Sequence, residues 1–574
     1  MPPRAGLDTS LDDVTSGHYD VVVVGGGITG ICVAREAASR GLDVVLVEAN
    51  DFGSGTSAST TKYIHGGIRY LEQYDIEVVR ESLRERRILA LGAPHLVEQT
   101  RFIMPAWRWS KPPTALIGAG VLLYDMLSFD RNRNAPSSLR IPHPRWMSRR
   151  NLLRAVPWLD PRGLQGAFAY HDTMNIHPER LLLAYAKSAA LAGARLLNHT
   201  KVVGFVASPH GERLAVGGVR VVAHGIEREI RARVVVNAAG PWIDTLLAAL
   251  GRPMGVGVDR SKGVHVLTRP LGGDGRVTDA VFARARSGRH VIVSPWMGKS
   301  FIGPTDTPVD SDDASIVVDP TDVASILETV NSTMGRDIAP LTTDDVEFAT
   351  VGVRPLIRTG DDQSGGTYSA SRRHELYHHV DRGVDNLWTI GGGKWTTGRA
   401  TAEQMVDALF EHELSDRPSR RFASRRSEAF GAFAWAEDAE PFLRRAASEA
   451  IALGVSTDAA ATIARSYGSE YPRLLDLVRE NAALGRALST ECHEIGAQVV
   501  FAITDESART LSDIIDRRLI AGTLGGVSDE TVAAVARLAA PLWGWDESRQ
   551  SDEVRREINR RLVVSQHWRT PTRR

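Results

Sequence analysis

Residues 19–24 form a β-branched run that meets Gly25, Gly26 and Gly27 at once, and no other feature limits the fold as tightly. Such a run reads as a buried strand, and the glycines read as the turn that ends it. Residues 29–40 place Ile31, Ala34, Ala37 and Ala38 at helical spacing and stop at Gly41, after which residues 43–48 read as a second strand. Together they make a βαβ unit, which commits this part of the chain to a parallel sheet covered by helices. Gly25, Gly27 and Gly30 spell G-x-G-x-x-G between the first strand and the helix. Gly25 permits the tight turn, Gly27 admits a pyrophosphate to the backbone, and Gly30 lets helix and strand pack closely, while the helix N-terminus favours negative charge. Glu48 follows about 20 residues on, where an acidic side chain accepts hydrogen bonds from a ribose diol. The pattern predicts a dinucleotide site and leaves FAD and NAD as alternatives.

At 574 residues the chain is too long for one hydrophobic core, so two or three domains are expected. Lys plus Arg and Asp plus Glu balance at 69 each, so nothing in the net charge points to nucleic acid. The two cysteines, Cys32 and Cys492, stand far apart and exclude a disulfide framework, which fits a reducing compartment. Residues 1–18 lack the basic start and apolar stretch of a secretory signal and read as a disordered N-terminal extension. The apolar run 115–127 is interrupted by Asp125 and falls short of the roughly 20 residues that span a bilayer. His171, Asp172 and His177 fit no zinc spacing, so no metal is expected.

After Glu48 comes a small, hydroxyl-rich loop. The segment "GTSASTTKYIHGGIRYLE" at 55–72 resembles the FAD-dependent, aerobic-type glycerol-3-phosphate dehydrogenases, and so does "IGGGKWTT" at 390–397. The resemblance runs on in family order through "FAYHDTMNIHPERL" at 168–181, "NAAGPWID" at 237–244, "SKGVHV" at 261–266, "VSPWMGKSFIGPTDT" at 293–307 and "VGVRPL" at 351–356. The first blocks are shared with a wider class of FAD oxidoreductases acting on amines and amino acids. The blocks around Arg69, Arg354 and Lys394 are narrower and argue against an amino-acid or amine oxidase.

This resemblance implies FAD as cofactor and an α/β fold. A discontinuous Rossmann-like FAD-binding domain is expected from 19–75, 165–240 and 386–411, and an α+β substrate domain from 76–164 and 241–385. A polar linker at 412–424 then leads to an all-helical C-terminal cap domain at 425–574, where Ser456 and Gly468 mark one helix start and stop. Within the middle segment, residues 194–205 read as one strand.

The implied reaction oxidises sn-glycerol 3-phosphate to dihydroxyacetone phosphate. It requires a base for the hydroxyl proton and a clamp for a phosphate dianion. The family's matching positions make His265 the general base, with Arg354 its mechanistic rival. Arg69, Tyr70, Arg354, Arg372 and Lys394 are the expected substrate contacts. The expected cofactor contacts are Gly25, Gly27, Gly30, Glu48, Thr56, Ser57, Ser59, His65, Gly66, Val202, Gly240, Gly393, Lys394 and Thr396. Thr56, Ser57 and Ser59 are read as donors to pyrophosphate or ring oxygens, and Lys394 as a cation at the flavin pyrimidine edge. Relatives of this type pass electrons to a membrane quinone or, as oxidases, to oxygen. The chain lacks a clear counterpart of the oxidase insertion, which favours quinone. A cytoplasmic homodimer, peripheral on the inner face of the membrane, is expected. Residues 102–127 read equally as a bilayer-surface segment or as a buried helix of the substrate domain.

Overall fold

The computed structural model describes residues 6–568 apart from 8, 273–277, 286–287, 310–315, 359–372, 421, 423, 428, 433–438 and 526. The βαβ unit appears as the strand His18–Val24, the helix Ile28–Ser39 and the strand Val44–Val47. These strands belong to a parallel core that runs Leu387–Gly392, Ile226–Asn237, His18–Val24, Val44–Val47 and Arg195–Leu197 in space. Val21 and Val23 face the helices Ile28–Ser39, Pro178–Leu191 and Gly398–His412. Val22 and Val24 face an antiparallel meander of Lys201–His210 and Arg213–Ala223. Burial on both faces explains an unbroken apolar run where a half-exposed strand would alternate.

A second, mixed sheet contains Val97–Trp107, Leu164–Asn175, Val258–Thr268, Asp279–Arg284, His290–Trp296, Lys299–Gly303 and Val346–Ile357. One face packs on the helices Arg149–Ala155 and Pro320–Asn331, burying Val264, Val266, Val323 and Ile326. Its other face sends Phe102, Tyr170, Leu267 and Phe301 into the same core as the helices of the first sheet. The two sheets therefore share a core, and the cavity between them is fixed by that packing.

The last third of the chain is helical, with Ala439–Ala452, Thr457–Tyr467, Tyr471–Glu480, Gly496–Thr504, Asp529–Trp543 and Glu547–His567 as its main helices. Ser456 caps the second of these by accepting from the Ala459 N–H at 3.3 Å, and Gly468 ends it. The domain docks on the first through buried charges. Arg180 donates to Glu506 at 2.6 Å, and the Lys187 ammonium lies 2.8 Å from Glu470 and 2.9 Å from Glu506.

Three expectations change. Within the expected disordered extension Leu7 is buried, and Ser10 caps a short helix at Leu11–Thr15. The expected strand 194–205 is two strands in different places, Arg195–Leu197 and Lys201–His210, because Asn198 turns its amide to Asp51 and Ser507 and His199 takes a positive φ. The strand Leu164–Asn175, expected with the FAD-binding segments, pairs in the second sheet, and His374–His378, expected with the substrate domain, pairs in the first. Hydrophobic pattern identifies a strand but not the neighbour it hydrogen-bonds.

Burial alone would raise the Glu506 carboxyl, yet the charges of Arg180 and Lys187 outweigh it and hold it at about 2, below its ordinary 4.5. A depressed carboxyl stabilises the fold fully above its ordinary value, and that contribution is lost as pH falls towards about 2. Replacing Glu506 with Gln leaves two buried cations with Glu470 as their remaining carboxylate, so urea unfolding at neutral pH is expected to show a loss of about 3–5 kcal/mol. An unchanged midpoint would contradict this account of the interface.

Candidate active site

A cavity of about 1240 Å³ runs between the two sheets. It exceeds the usual small-ligand pocket of roughly 300–1,000 Å³, and an extended dinucleotide with a small substrate needs such room. One wall is the fingerprint. The first strand ends at Gly25 with φ +108°, and a Cβ on Gly30 would lie 2.0 Å from the Gly25 carbonyl oxygen. Only glycine lets the helix Ile28–Ser39 sit this close, which brings its N-terminal amides at Gly27, Ile28 and Thr29 to the cavity. Ser57 accepts from the Ile28 N–H at 3.0 Å, which leaves the hydroxyl proton of Ser57 to be donated. Glu48 is held by the N–H groups of Gly26 at 2.6 Å and Asn50 at 2.8 Å, and burial pushes its carboxyl above the usual range. Val202 and Gly240 lie along this part, and Gly393, Lys394 and Thr396 on the returning segment. A cradle that a Cβ would fill, helix-end amides and a carboxylate for a diol fit FAD.

The other wall comes from the paired strands Val258–Thr268 and Val346–Ile357. Strand alternation puts Ser261, Gly263 and His265 on one face and Val264 and Val266 in the core behind. Antiparallel register sets Arg354 opposite Ser261 and Gly352 opposite Gly263, so the Arg354 side chain shares the His265 face. A Cβ on Gly263 would lie 2.4 Å from the Arg354 guanidinium, so the missing side chain is the space that this group occupies. Arg354 donates to the Thr305 carbonyl at 3.0 Å, to Asp306 at 3.3 Å and to Ser261 at 3.4 Å. His265 is 3% exposed and stacks on Phe301 at 4.7 Å, and neither ring nitrogen has a hydrogen-bond partner among the described residues. Burial, helped by the charges of Arg354 and Lys62, lowers it to about 3, so the imidazole is neutral.

Arg69 and Tyr70 line the same cavity on a short turn, Ile68–Gln73, that follows Gly67. Lys394 sits 4.4 Å over the Tyr70 ring and donates to Ser82 at 2.5 Å. His65 is also on this wall, lowered to about 4 by burial above all. Sequence reasoning missed His290, which faces the cavity and is lowered to about 3 by burial and then by Arg69 and Arg284. A histidine starting an ordinary strand carries no local signal. The Ser261–Asp306 hydrogen bond that flanks Arg354 was missed for the same reason.

Several expected contacts stand elsewhere. Gly66 lies outside the cavity lining, where a Cβ would meet Tyr124 at 2.4 Å and Leu83 at 2.5 Å, so it is a packing glycine. Gly30 likewise packs on Gly25. Thr56 lines the cavity but donates its hydroxyl to the Val353 carbonyl at 2.6 Å, tying the loop to the Arg354 strand in place of donating to a ligand. Ser59 lines the cavity with its back to Gly352. Arg372 falls outside the described residues. Of the histidines and carboxylate weighed as metal ligands, Asp172 is paired with Arg86 and Tyr124. A separate group of Asp51, His199 and Asp513 lies within ligating distance, but Arg517 binds both carboxylates and Arg518 adds to Asp51.

Comparison with known proteins follows the same division of the chain. Residues 20–408 match the family of FAD dependent oxidoreductases, and residues 390–550 match the C-terminal domain of alpha-glycerophosphate oxidase. The chain is 32% identical over 562 residues to a glycerol-3-phosphate dehydrogenase of Synechocystis sp., covering 95% of this chain and 97% of that one. It is 30% identical to the aerobic glycerol-3-phosphate dehydrogenase of Staphylococcus haemolyticus, covering 94% of each. Among solved structures, the glycerol-3-phosphate dehydrogenase from Bacillus halodurans complexed with FAD superposes with a TM-score of 0.74 at 26% identity, over 97% of both chains.

Proposed function

The chain belongs to the FAD-dependent glycerol-3-phosphate dehydrogenases, and on that premise we propose that it oxidises sn-glycerol 3-phosphate to dihydroxyacetone phosphate and passes the electrons to a membrane quinone. The observation that carries the substrate half is one cavity that joins the dinucleotide cradle to Arg354, Arg69, His290 and a neutral His265 with no hydrogen-bond partner among the described residues.

FAD held by the turn at 25–30, Glu48 and Ser57 would supply a hydride acceptor for the carbon being oxidised. His265 takes the hydroxyl proton as the C2–O bond becomes a carbonyl, and it does so without breaking an existing hydrogen bond. Phe301 behind the ring holds its plane, which fixes the direction from which the hydroxyl must approach. Arg354 orients the substrate oxygens with a guanidinium already anchored by Thr305 and Asp306. Arg69 supplies positive charge for the phosphate. Lys394, over the Tyr70 ring in the same cavity, would place a cation where bound FAD takes up negative charge.

The helix Thr114–Leu127 supports the acceptor half. It buries Gly118, Val121 and Tyr124 against the protein, and Tyr124 is tied to Asp172 at 2.7 Å. Its outer side leaves Leu116 60%, Leu122 61% and Met126 71% exposed, and Phe129 just beyond is 75% exposed. Trp146 stands edge-on to Phe168, which fills the gap at Gly118, and so extends the apolar face. Lys111, Arg133, Arg140 and Arg145 are exposed on the flanking segments. An apolar patch rimmed by cations suits an anionic bilayer surface. The helix packs on the turn that carries Arg69 and Tyr70, and that contact supports a lipid-soluble acceptor entering near the substrate end. No helix among the described residues is long and apolar enough to cross a membrane.

Anaerobic mixing of the yellow protein with glycerol 3-phosphate is expected to bleach the flavin, and an amino acid is not; the reverse result would overturn the substrate. His265→Asn should slow that bleaching at least about 100-fold. Arg354→Ala should weaken glycerol 3-phosphate binding by about 1.5–3 kcal/mol with the flavin retained. Because His265 is lowered to about 3, its neutral form persists down to acid pH, so the enzyme's acid limb in kcat/KM should lie well below 6.5. A limb at 6.5 that disappears in His265→Asn would contradict this. Leu122→Glu with Met126→Glu should cut sedimentation with anionic vesicles at least about tenfold. Unmodified protein that ignores vesicles and reduces oxygen faster than a soluble quinone would refute the acceptor.

A further inference from the structure

The cavity does not end at the two sheets. Beyond Glu48 its lining passes to Thr510, Ser512, Asp513, Asp516, Arg517 and Arg560, all from the helical domain. Arg517 and Arg518 belong to a single π-helical turn, Ile514–Arg518, a rare conformation that recurs at functional sites. We propose that this turn is a wall of the cofactor site that closes over the adenosine half of a dinucleotide, with Arg517 the positioning residue that couples domain docking to cofactor retention. The inference rests on the flavin reading above.

The loop after Glu48 is where the two domains meet. Arg517 donates from Nε to Asp51 at 2.5 Å and from Nη2 to Asp513 at 2.7 Å. Arg518 binds both oxygens of Asp51 and donates to the Glu506 carbonyl at 2.7 Å. Asp51 also accepts from Asn198 at 3.0 Å, and His199 meets Asp513 at 2.9 Å. The backbone continues the lock, since Glu48 donates to Leu197, Thr200 donates to Glu48 and His199 donates to Asn50. Asp51 and Asp513 are almost fully buried, so these charges need all of their partners. The carboxylate meant for the ribose is therefore held three residues from an aspartate that the helical domain grips. Arg560, held by Glu557 and Asp516, brings the long C-terminal helix to the same rim.

A ligand that fills this end touches both domains at once, so it binds the docked arrangement in preference to an undocked one. The adenosine portion alone should suffice, because Asp51, which Arg517 holds, stands three residues after Glu48, the carboxylate that would take the ribose.

Two measurements on the full chain test this. In the flavin-free protein, ADP should slow hydrogen exchange across residues 505–518, whereas FMN should not. In the flavin-loaded protein, Arg517→Ala should speed FAD dissociation about tenfold or more, and in the flavin-free protein it should weaken ADP binding to the same degree, with Arg517→Lys recovering part of each loss. If Arg517→Ala fails to fold, the exchange experiment on the unaltered chain decides alone. The proposal is overturned if ADP leaves 505–518 unprotected, if FMN protects it equally, or if the Arg517→Ala protein holds FAD at the original rate. Unaltered protein that binds neither FAD nor ADP would instead overturn the flavin reading on which it rests.

Discussion

The approach of the Gly30 Cα to the Gly25 carbonyl governs the rest of the architecture. With a side chain at position 30 the helix would have to retreat from the strand, since its Cβ would fall 2.0 Å from that oxygen. Without it, helix-end amides, the Ser57 hydroxyl and the Glu48 carboxylate converge on one edge of the parallel sheet. The helix then packs on Pro178–Leu191 and Gly398–His412, which come from distant parts of the chain. The returning strand Leu387–Gly392 reaches its place beside Ile226–Asn237 through the same core, and Lys394 follows it to the cavity. A local backbone contact thus sets where the late segment can stand.

The second constraint is the shared core between the sheets. Val258–Thr268 serves both sides, with Val264 and Val266 anchoring it and His265 facing the cavity. The low-polarity setting that packs the strand also keeps the imidazole neutral, because charging a buried ring without a partner is costly. Arg354 sits less than fully buried beside it, where its charge is balanced by Asp306. A neutral, buried imidazole and a partly exposed guanidinium thus stand on one face of one strand pair.

The helical domain meets the rest of the chain through buried charges at Arg180, Lys187, Glu470 and Glu506, and again at Asp51, Arg517 and Arg518, beside apolar contacts such as Trp568 in the core of the second sheet. Buried ion pairs add little net stability once desolvation is counted, but they penalise any misplaced docking heavily. That property suits an interface lying next to a ligand cavity.

Much of this was legible in the residues. The fingerprint, the strand 19–24 and the Ser456 cap are local patterns, in which neighbouring residues dictate conformation through sterics and short hydrogen bonds. His265 was found through the family's matching position, while its face opposite Val264 and Val266 follows from the strand the structure shows. Other features depend on residues far away in sequence. The division of 194–205 follows from Asn198 reaching Asp51 and Ser507, and the packing role of Gly66 from Tyr124 and Leu83. Thr56 spends its hydroxyl on Val353, and His290 gains its place beside Arg69 only through sheet pairing. The dinucleotide cradle and the helix cap were thus set by the residues alone, as short-range matters of backbone geometry. Which strand joins which sheet, which donors remain for a ligand and which domain closes the cavity were decided by tertiary structure, because burial and hydrogen-bond partners exist only once distant segments meet.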